Sequence, residues 1–170
     1  MRIAGKNVIR FTITDKDGNT NVSKFGNKIN GCGGFINISQ NTQKVVFCGT
    51  FTHGAEYKVE DNKLVIVKEG KRQKFLDSVD QITFSGKYAI SIDQDVLYVT
   101  ERAVFKLEKE GMVLIEIAPG VDLQKDILDQ MGFQPIISPN LKTMRPGIFQ
   151  EHWNELKAII NGSDFENLPN

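Results

Sequence analysis

Short runs of β-branched and aromatic residues, separated by turn sequences, limit what this chain can fold into more than any other feature. Residues 103–107 and 112–117 flank a four-residue turn that ends in glycine, which predicts a β-hairpin. Residues 56–60 and 63–68 are joined by two polar residues alone and predict a second hairpin. These two pairs favour antiparallel β-sheet in the middle of the chain.

Further segments of this composition are typical of strands and lie at residues 8–14, 45–51, 78–85 and 95–100. The first of them is followed by a strong turn sequence at residues 15–19. Residues 21–26 have mixed polarity and no clear period, and we expect them to be irregular. The chain is therefore expected to be mostly β-structure as far as residue 117.

Helices are expected only in the last third of the chain. Residues 122–131 begin with Asp122, which can cap a helix, and end before Gly132. The apolar side chains that share one face of this helix, and can pack on a sheet, are Leu123, Ile127, Leu128 and Met131. Residues 151–160 predict a second helix, and residues 162–170 are expected to be frayed or ordered only by a partner. Residues 135–139, a short extended run between prolines, are expected at a sheet edge or in a connector.

Length and charge set the class of protein. A chain of 170 residues is most simply one domain of the α/β class. Its 21 basic and 21 acidic residues create no net field, so neither nucleic acid nor an anionic membrane is the expected partner. No apolar stretch has the length of a signal peptide or a membrane span, and we expect a soluble, cytoplasmic protein.

We expect Cys32 and Cys48 to be reduced thiols that pack as small hydrophobic residues.

A glycine-rich loop is the first candidate for a functional site. Gly31, Gly33 and Gly34 occupy three of four positions before Phe35, and such a backbone can present its N–H groups to a ligand. The alternative is a tight turn that leads into a core segment. The spacing does not match a Walker loop or a G-x-G-x-x-G dinucleotide motif.

The remaining candidates for chemistry are few. His53 follows the strand at 45–51, where strand ends in open α/β sheets often meet ligands, although a lone histidine in a turn can equally be structural. Glu101 and Arg102 lie between two apolar strands, either as a solvated ion pair or with Arg102 holding a phosphate or carboxylate. Cys32 has no recognisable base at a diagnostic spacing. The residues alone thus predict a β-rich α/β domain with a glycine donor loop.

The order of these segments resembles the C-terminal part of the β-type half of the family I coenzyme A (CoA) transferases, in particular the fused acetate/propionate and short-chain acyl-CoA:acetate enzymes. The resemblance extends from about Val8 to about Phe149. The segments that carry it are residues 15–19, 21–26, 31–40, 44–51, 79–85, 96–105, 116–120, 122–131 and 135–144. It implies a partial open mixed sheet of the CoA-transferase β-domain type (NagB/RpiA/CoA-transferase-like), with β-hairpins and late helices.

In this family CoA moves between carboxylic acids through a covalent glutamyl-CoA thioester, which is nucleophilic catalysis by a carboxylate assisted by backbone donors. The resemblance implies that residues 31–35 form the loop against the thioester, with N–H donors around Gly33, Gly34 and Phe35. It also implies two turns along the groove for CoA or acyl-CoA. The residues of these turns are Gly49, Thr50, His53, Thr100, Glu101 and Arg102.

The chain also departs from the family pattern. The family's catalytic glutamate lies several tens of residues before the glycine loop, but the first glutamate here is Glu56. The α-type half and the first strands of the β-type half have no counterpart, so an exposed sheet edge is expected. That edge predicts a homo-oligomer or a complementing CoA-transferase chain.

Two hypotheses follow, with a third kept open. The first is a partial CoA-transferase domain that is inactive alone because the nucleophile is missing, and that either retains part of the CoA site or works only when another chain supplies the glutamate. The second is a non-catalytic interaction or scaffold module that retains the fold without binding CoA. The third is an enzyme that uses Cys32 or His53 in new chemistry.

Overall fold

The computed structural model of the protein describes residues 3–161. Its strands, in chain order, are β1 (Ile3–Arg10), β2 (Ile13–Asp15), β3 (Thr20–Asn21), β4 (Lys24–Phe25), β5 (Lys28–Ile29), β6 (Thr42–Cys48), β7 (Thr52–His53), β8 (Glu56–Glu60), β9 (Lys63–Lys68), β10 (Arg72–Gln73), β11 (Phe75–Leu76), β12 (Asp95–Val99), β13 (Ala103–Glu108), β14 (Gly111–Ile117) and β15 (Ile136–Thr143). The α-helices are α1 (Phe35–Gln40), α2 (Gly86–Ser91) and α3 (Leu156–Asn161). Single turns of π-helix or 3-10 helix span Leu123–Ile127, Leu128–Gln130 and Pro146–Phe149.

A six-stranded mixed sheet is the centre of the fold, with the strand order β1-β6-β12-β13-β14-β15. The strands β1, β6 and β12 are parallel to one another. β13 pairs in antiparallel fashion with both β12 and β14, and β15 runs parallel to β14. This confirms the expected open mixed α/β sheet. Because β1, β6 and β12 are parallel, their carboxyl ends lie at the same edge of the sheet.

The larger of two hydrophobic clusters lies on one face of this sheet, and a smaller one, which includes Leu64, Val104 and Phe149, lies on the other. Strand register brings one buried row across the first of these faces, in the order Phe47, Tyr98, Phe105 and Leu114. Phe47 is in contact with three other aromatic rings, at centroid distances of 5.8 Å to Phe35, 4.9 Å to Phe84 and 5.2 Å to Tyr98. This aromatic packing fixes the helix α1 and the segment around Phe84 against β6.

Both predicted hairpins are present. β13 pairs with β14, and β8 pairs with β9. The two residues between β8 and β9 have left-handed backbones, with φ of 49° at Asp61 and 60° at Asn62. This is the type I′ geometry, whose twist matches that of the flanking strands, and Asp and Asn tolerate it better than other non-glycine residues.

The prediction of one strand at residues 8–14 is wrong in its extent. β1 ends at Arg10, and Ile13 begins a different strand that pairs with β3 and β11. Phe11, fully buried, still donates its N–H to the Cys48 carbonyl oxygen at 3.0 Å, whereas Thr14 N–H bonds to the Lys74 carbonyl oxygen. The chain changes sheets between these residues, and a continuous β-type composition does not show where a strand changes partners.

The expectation of a strand at residues 78–85 is also wrong. Side chains two positions apart share a face in a strand, yet Ile82 is 54% exposed and Phe84 is fully buried. Within the described residues the segment makes one isolated bridge, from Phe84 to Thr20. Residues 21–26, expected to be irregular, instead contain the end of β3 and the strand β4, which pairs with β5.

Two short helices precede the last third of the chain, contrary to expectation. α1 follows the glycine loop in a segment of β-type composition, and it is held by the burial of Phe35 and Ser39. α2 is capped by Ser85, whose hydroxyl accepts from Tyr88 N–H at 3.2 Å. Each has six residues, too few for a helical period to be evident in the sequence.

The later elements largely follow the prediction. Asp122 caps the helical segment by accepting from Lys125 N–H at 2.7 Å, and Ile127, Leu128 and Met131 are buried. β15 forms the edge of the central sheet, which is one of the two placements expected for the proline-flanked run at residues 135–139, and it extends to Thr143. α3 is shorter than the helix predicted at 151–160, and the predicted frayed tail at 162–170 lies outside the described residues. None of the helices within residues 3–161 is long and apolar enough to cross a membrane.

Candidate functional site

The glycine loop lies between β5 and α1 and is attached to β6 through Phe35. The ring of Phe35 stacks on that of Phe47 with an interplanar angle of 24°. Gly33 has a left-handed backbone, with φ of 52°, and Gly34 is the N-cap of α1. A side chain at Gly31 or Gly33 would have no neighbouring atom within 4 Å. The loop therefore faces open space, and only Gly33 requires glycine for its backbone conformation.

The N–H groups of this loop are not equally available. Phe35 N–H already donates to the Cys32 carbonyl oxygen at 3.0 Å. Gly33 N–H and Gly34 N–H have no acceptor within the described part of the chain. In this conformation the two glycines, and not Phe35, present free donors.

A second turn follows β6 at residues 49–53. It lies at the carboxyl ends of β1 and β6, where a shallow concavity of about 460 Å³ is lined by Val8, Ile9, Arg10, Cys48, Gly49 and Thr50. A Cβ at Gly49 would come within 2.8 Å of the Phe11 ring, so glycine is required there for close packing. Gly49 N–H donates to the Val99 carbonyl oxygen at 3.1 Å, which ties the turn to β12. The turn thus lies at the carboxyl ends of the parallel strands, where open α/β sheets commonly bind ligands.

Charged side chains support this turn from beneath. Both carboxylate oxygens of Glu101 accept from Phe51 N–H, each at 3.0 Å. Lys74, which is 7% exposed, donates from Nζ to the carbonyl oxygen and the hydroxyl of Thr50 at 2.9 and 3.2 Å. Burial lowers the pKa of Lys74, a shift that the negative charge of Glu101 opposes. The sequence did not single out Lys74, because this lysine ends a polar, mostly charged run at residues 71–74 that is typical of a solvated surface.

Arg102 is completely buried, which corrects the expectation of a solvated ion pair. Its guanidinium forms a bidentate pair with Glu69, at 2.7 and 2.8 Å. It also donates to the hydroxyls of Tyr57 and Thr52 and to the Asp126 carbonyl oxygen, and it lies between the rings of Phe51 and Tyr57. Because all three guanidinium nitrogens are engaged, Arg102 has no free donor for a phosphate in this conformation.

Glu69 is the main partner of Arg102 and was also missed by sequence analysis. Burial by itself raises the pKa of Glu69, but hydrogen bonds from Arg102, Thr52 and the Gly70 N–H outweigh it and lower the pKa to about 2. Burial and a hydrogen bond with Glu101 raise the pKa of Tyr57 to about 12. Glu69 is therefore ionised and Tyr57 neutral near pH 7, and nothing in the sequence around either residue marks this pairing.

The structure brings most of the predicted site residues to one end of the sheet. Gly49 and Thr50 lie in the turn that Glu101 and Arg102 contact at Phe51 and Thr52. Thr100 closes its own turn by accepting from the N–H of Ala103 at 3.0 Å. His53 is exposed and pairs with Arg72 in the small sheet formed by β7 and β10. The glycine loop is attached to the same strand, β6, by Phe35.

The cysteines and possible metal ligands add no further site. Cys32 and Cys48 are free, partly buried thiols, and burial raises the pKa of Cys48. No cluster of three or more His, Cys, Asp or Glu side chains is arranged to hold a metal ion within residues 3–161.

Comparisons with known proteins identify related chains. No family model matches. The chain is 54% identical over 158 residues to a caffeate CoA-transferase of Acetobacterium woodii, a match that covers 90% of this chain and 30% of that protein. It is also 54% identical over 142 residues to the acetate CoA-transferase YdiF of Escherichia coli strain K12, a match that covers 83% of this chain and 27% of that protein.

Solved structures agree with these matches. The apoenzyme of the acyl-CoA transferase YdiF from Escherichia coli O157:H7 superposes with a TM-score of 0.85 at 51% identity, covering 86% of this chain and 29% of that one. A thioester complex of the same protein with CoA gives a TM-score of 0.84. The glutaconate CoA-transferase of Acidaminococcus fermentans shares the fold, with a TM-score of 0.61 at 17% identity.

These matches agree with the family that the sequence motifs indicate. The chain spans less than a third of the length of the curated relatives that it matches. The chain is therefore a partial-length member of the CoA-transferase family.

Proposed function

We propose that this chain carries part of a CoA site and is inactive as a transferase by itself. The observation that carries the proposal is the position of two turns, at residues 31–35 and 49–53, that are both attached to β6. The chain is also 51% identical to a protein that has been solved as a thioester complex with CoA. The free N–H groups of Gly33 and Gly34 suit the oxyanion that forms when a thioester is attacked.

Inactivity follows from the carboxylates near the site. A glutamyl-CoA thioester requires a carboxylate that is free to attack the acyl carbon. Glu101 is bound to Phe51 N–H and Glu69 to Arg102, so both neighbouring glutamates serve structural roles. A complementing chain of the same family would have to supply the nucleophile, with short carboxylic acids as the acyl groups exchanged.

Titration of the chain with CoA by calorimetry tests the binding site. We expect saturable binding that is lost in Gly34→Trp, since the indole would occupy the space in front of the loop. Gly34 has an ordinary negative φ, and the nearest atom to an added Cβ is Ile38 Cδ1 at 3.5 Å, so this variant should fold. Lys87→Trp, on the exposed surface of α2, is the control and should bind as the wild type does. Absence of binding by the wild type would refute the proposal.

A transferase assay with acetyl-CoA and short carboxylates tests the missing nucleophile. We expect no turnover by the isolated 170-residue chain. Robust turnover would show that a carboxylate, or a residue such as Cys32 or His53, acts as the nucleophile in this chain.

The same geometry leaves a second candidate, a non-catalytic interaction module. Apolar side chains are exposed on β1, β5 and α1, with exposed fractions of 73% for Val8, 82% for Ile29 and 47% for Ile38. Such exposure is typical of a surface that another chain covers. A wild-type chain that associates with a partner but does not bind CoA would favour this function over the first.

Two further features of the proposal concern context. We propose a homo-oligomer or a complementing CoA-transferase chain as the partner, because β1 is an edge strand of the central sheet. We also propose a cytoplasmic location, since two cysteines that remain free thiols are typical of a reducing compartment.

A further inference from the structure

We infer that Lys74, Glu101, Arg102 and Glu69 act together as a charged clamp that positions the turn at residues 49–53. These are positioning residues and do not touch the ligand. The inference deepens the proposed function and rests on it where CoA affinity is concerned. The inference also extends the proposed function, because it assigns a role to Lys74 and Glu69 that neither the motifs nor the residue spacing in the sequence indicated.

The clamp bonds to three consecutive residues of the turn. Lys74 Nζ holds the carbonyl oxygen of Thr50, and the carboxylate of Glu101 holds the N–H of Phe51. The hydroxyl of Thr52 donates to Glu69 at 2.7 Å. These side chains thus hold the turn on its inner side, in addition to its backbone bond from Gly49 to Val99 and the pairing of β7 with β10.

Arg102 connects these contacts to the rest of the fold. Its guanidinium reaches Thr52 Oγ1 at 3.3 Å, the carboxylate of Glu69 and the hydroxyl of Tyr57, on the hairpin β8–β9. The centroid of the Phe51 ring lies 5.2 Å from the guanidinium carbon. The turn and the hairpin consequently share one rigid anchor.

The cost of this arrangement argues for a role beyond packing. Burying charged groups is expensive, and apolar side chains of similar volume often stabilise a fold equally well. In some proteins a buried charge imposes one geometry on its partners. Here the two buried cations, Lys74 and Arg102, are satisfied by the turn and by Glu69. In contrast to the clamp, Thr50, His53 and Gly54 are exposed, so the fixed turn keeps its outer side open.

Lys74→Met is the leading test, because it removes the ammonium and retains most of the side-chain volume. We expect CoA affinity to fall about tenfold and amide hydrogen exchange at Phe51 and Thr52 to accelerate about tenfold, as the loss of a charged hydrogen bond implies. Exchange at Phe105, in the central sheet, should remain unchanged. Lys74→Arg keeps the donors and should restore both quantities, and Lys87→Met is the matched control on an exposed lysine.

Thr52→Val is a second, nearly isosteric variant that removes a single hydroxyl from the clamp. It should show the same pattern, with faster exchange confined to the turn and weaker CoA binding. Uniformly faster exchange across the sheet in both variants would mean that the residues only stabilise the fold, and would overturn the inference. Unchanged exchange at Phe51 would overturn it as well.

Failure of the proposed function can be distinguished from failure of the clamp. If the wild-type chain does not bind CoA, the proposed function fails, whereas the exchange rates at Phe51 and Thr52 still decide whether the clamp holds the turn. If the wild type binds CoA and Lys74→Met binds equally well with faster exchange, the turn is clamped but does not contribute to the site, and the inference is wrong.

Discussion

Single residues in this protein take their roles from burial. Arg102 and Glu101 are neighbours in the sequence, yet one is fully buried between aromatic rings and the other holds a backbone N–H. The charged pair was recognisable in the sequence, but its solvated state was the wrong interpretation. The hydrogen-bond partners of Arg102 come from residues 24 to 50 positions away, which no local pattern could reveal.

The pairing of Glu69 with Arg102 predicts a pH dependence of stability. The pKa of Glu69 is about 2 in the folded chain against 4.5 for the free group, so the unfolded state binds the proton first. The stabilisation by this pair is therefore fully present above about pH 4.5 and is lost as the pH falls towards 2. Chemical denaturation as a function of pH should show this loss in the wild type.

Glu69→Gln removes the titrating group and provides the comparison. At pH 7 we expect it to lower the free energy of unfolding by about 3 kcal/mol, because the buried Arg102 loses its charged partner. The difference between the two proteins should shrink from pH 4.5 to pH 2. A difference that is constant over this range would show that the pair is not linked to protonation of Glu69.

At the scale of elements, turn chemistry was the most reliable guide. The hairpin β8–β9 was predicted without a glycine in its turn, and the structure has left-handed backbones at Asp61 and Asn62. The short helices α1 and α2 were missed because six residues show no period and because tertiary packing of Phe35 overrides a β-type composition.

The turn of this hairpin predicts opposite effects of two substitutions. At Asn62, with φ of 60°, glycine should be tolerated or stabilising by up to about 1 kcal/mol, because it adopts this backbone without strain. Valine should destabilise by about 1–2 kcal/mol, because a β-branched side chain is strained there. Urea denaturation of Asn62→Gly and Asn62→Val measures both changes. Equal stabilities would contradict the type I′ assignment.

At the scale of the molecule, the central sheet exposes an edge. Among residues 3–161, β1 has a partner strand only on the side of β6. Parallel strands such as β1, β6 and β12 are usually covered on both faces. On the face opposite the core, Val8 is 73% exposed and is level with Val46 and Leu97 in the register. This edge and face are the surface where we expect association.

Light scattering coupled to size-exclusion chromatography tests that expectation. The wild-type chain should elute as an oligomer, and Val8→Lys should shift it to the monomer, because a charge on an edge strand opposes pairing. Val67→Lys, at a similarly exposed position on β9, is the control and should leave the oligomer intact. A monomeric wild-type chain would exclude self-association at this edge.

The sequence by itself determined the hairpins, the capped helical segment at Asp122 and the family, because these depend on local turn and capping chemistry and on motif order. Only the tertiary structure decided where β1 ends, the burial of Arg102 and the contacts of Lys74 and Glu69 with the turn at 49–53. These features depend on residues distant in the chain that meet only when the sheet closes its core. The description of the glycine loop depended on the sequence and on the structure. The sequence located the loop, and the structure showed which of its N–H groups remain free within the described residues.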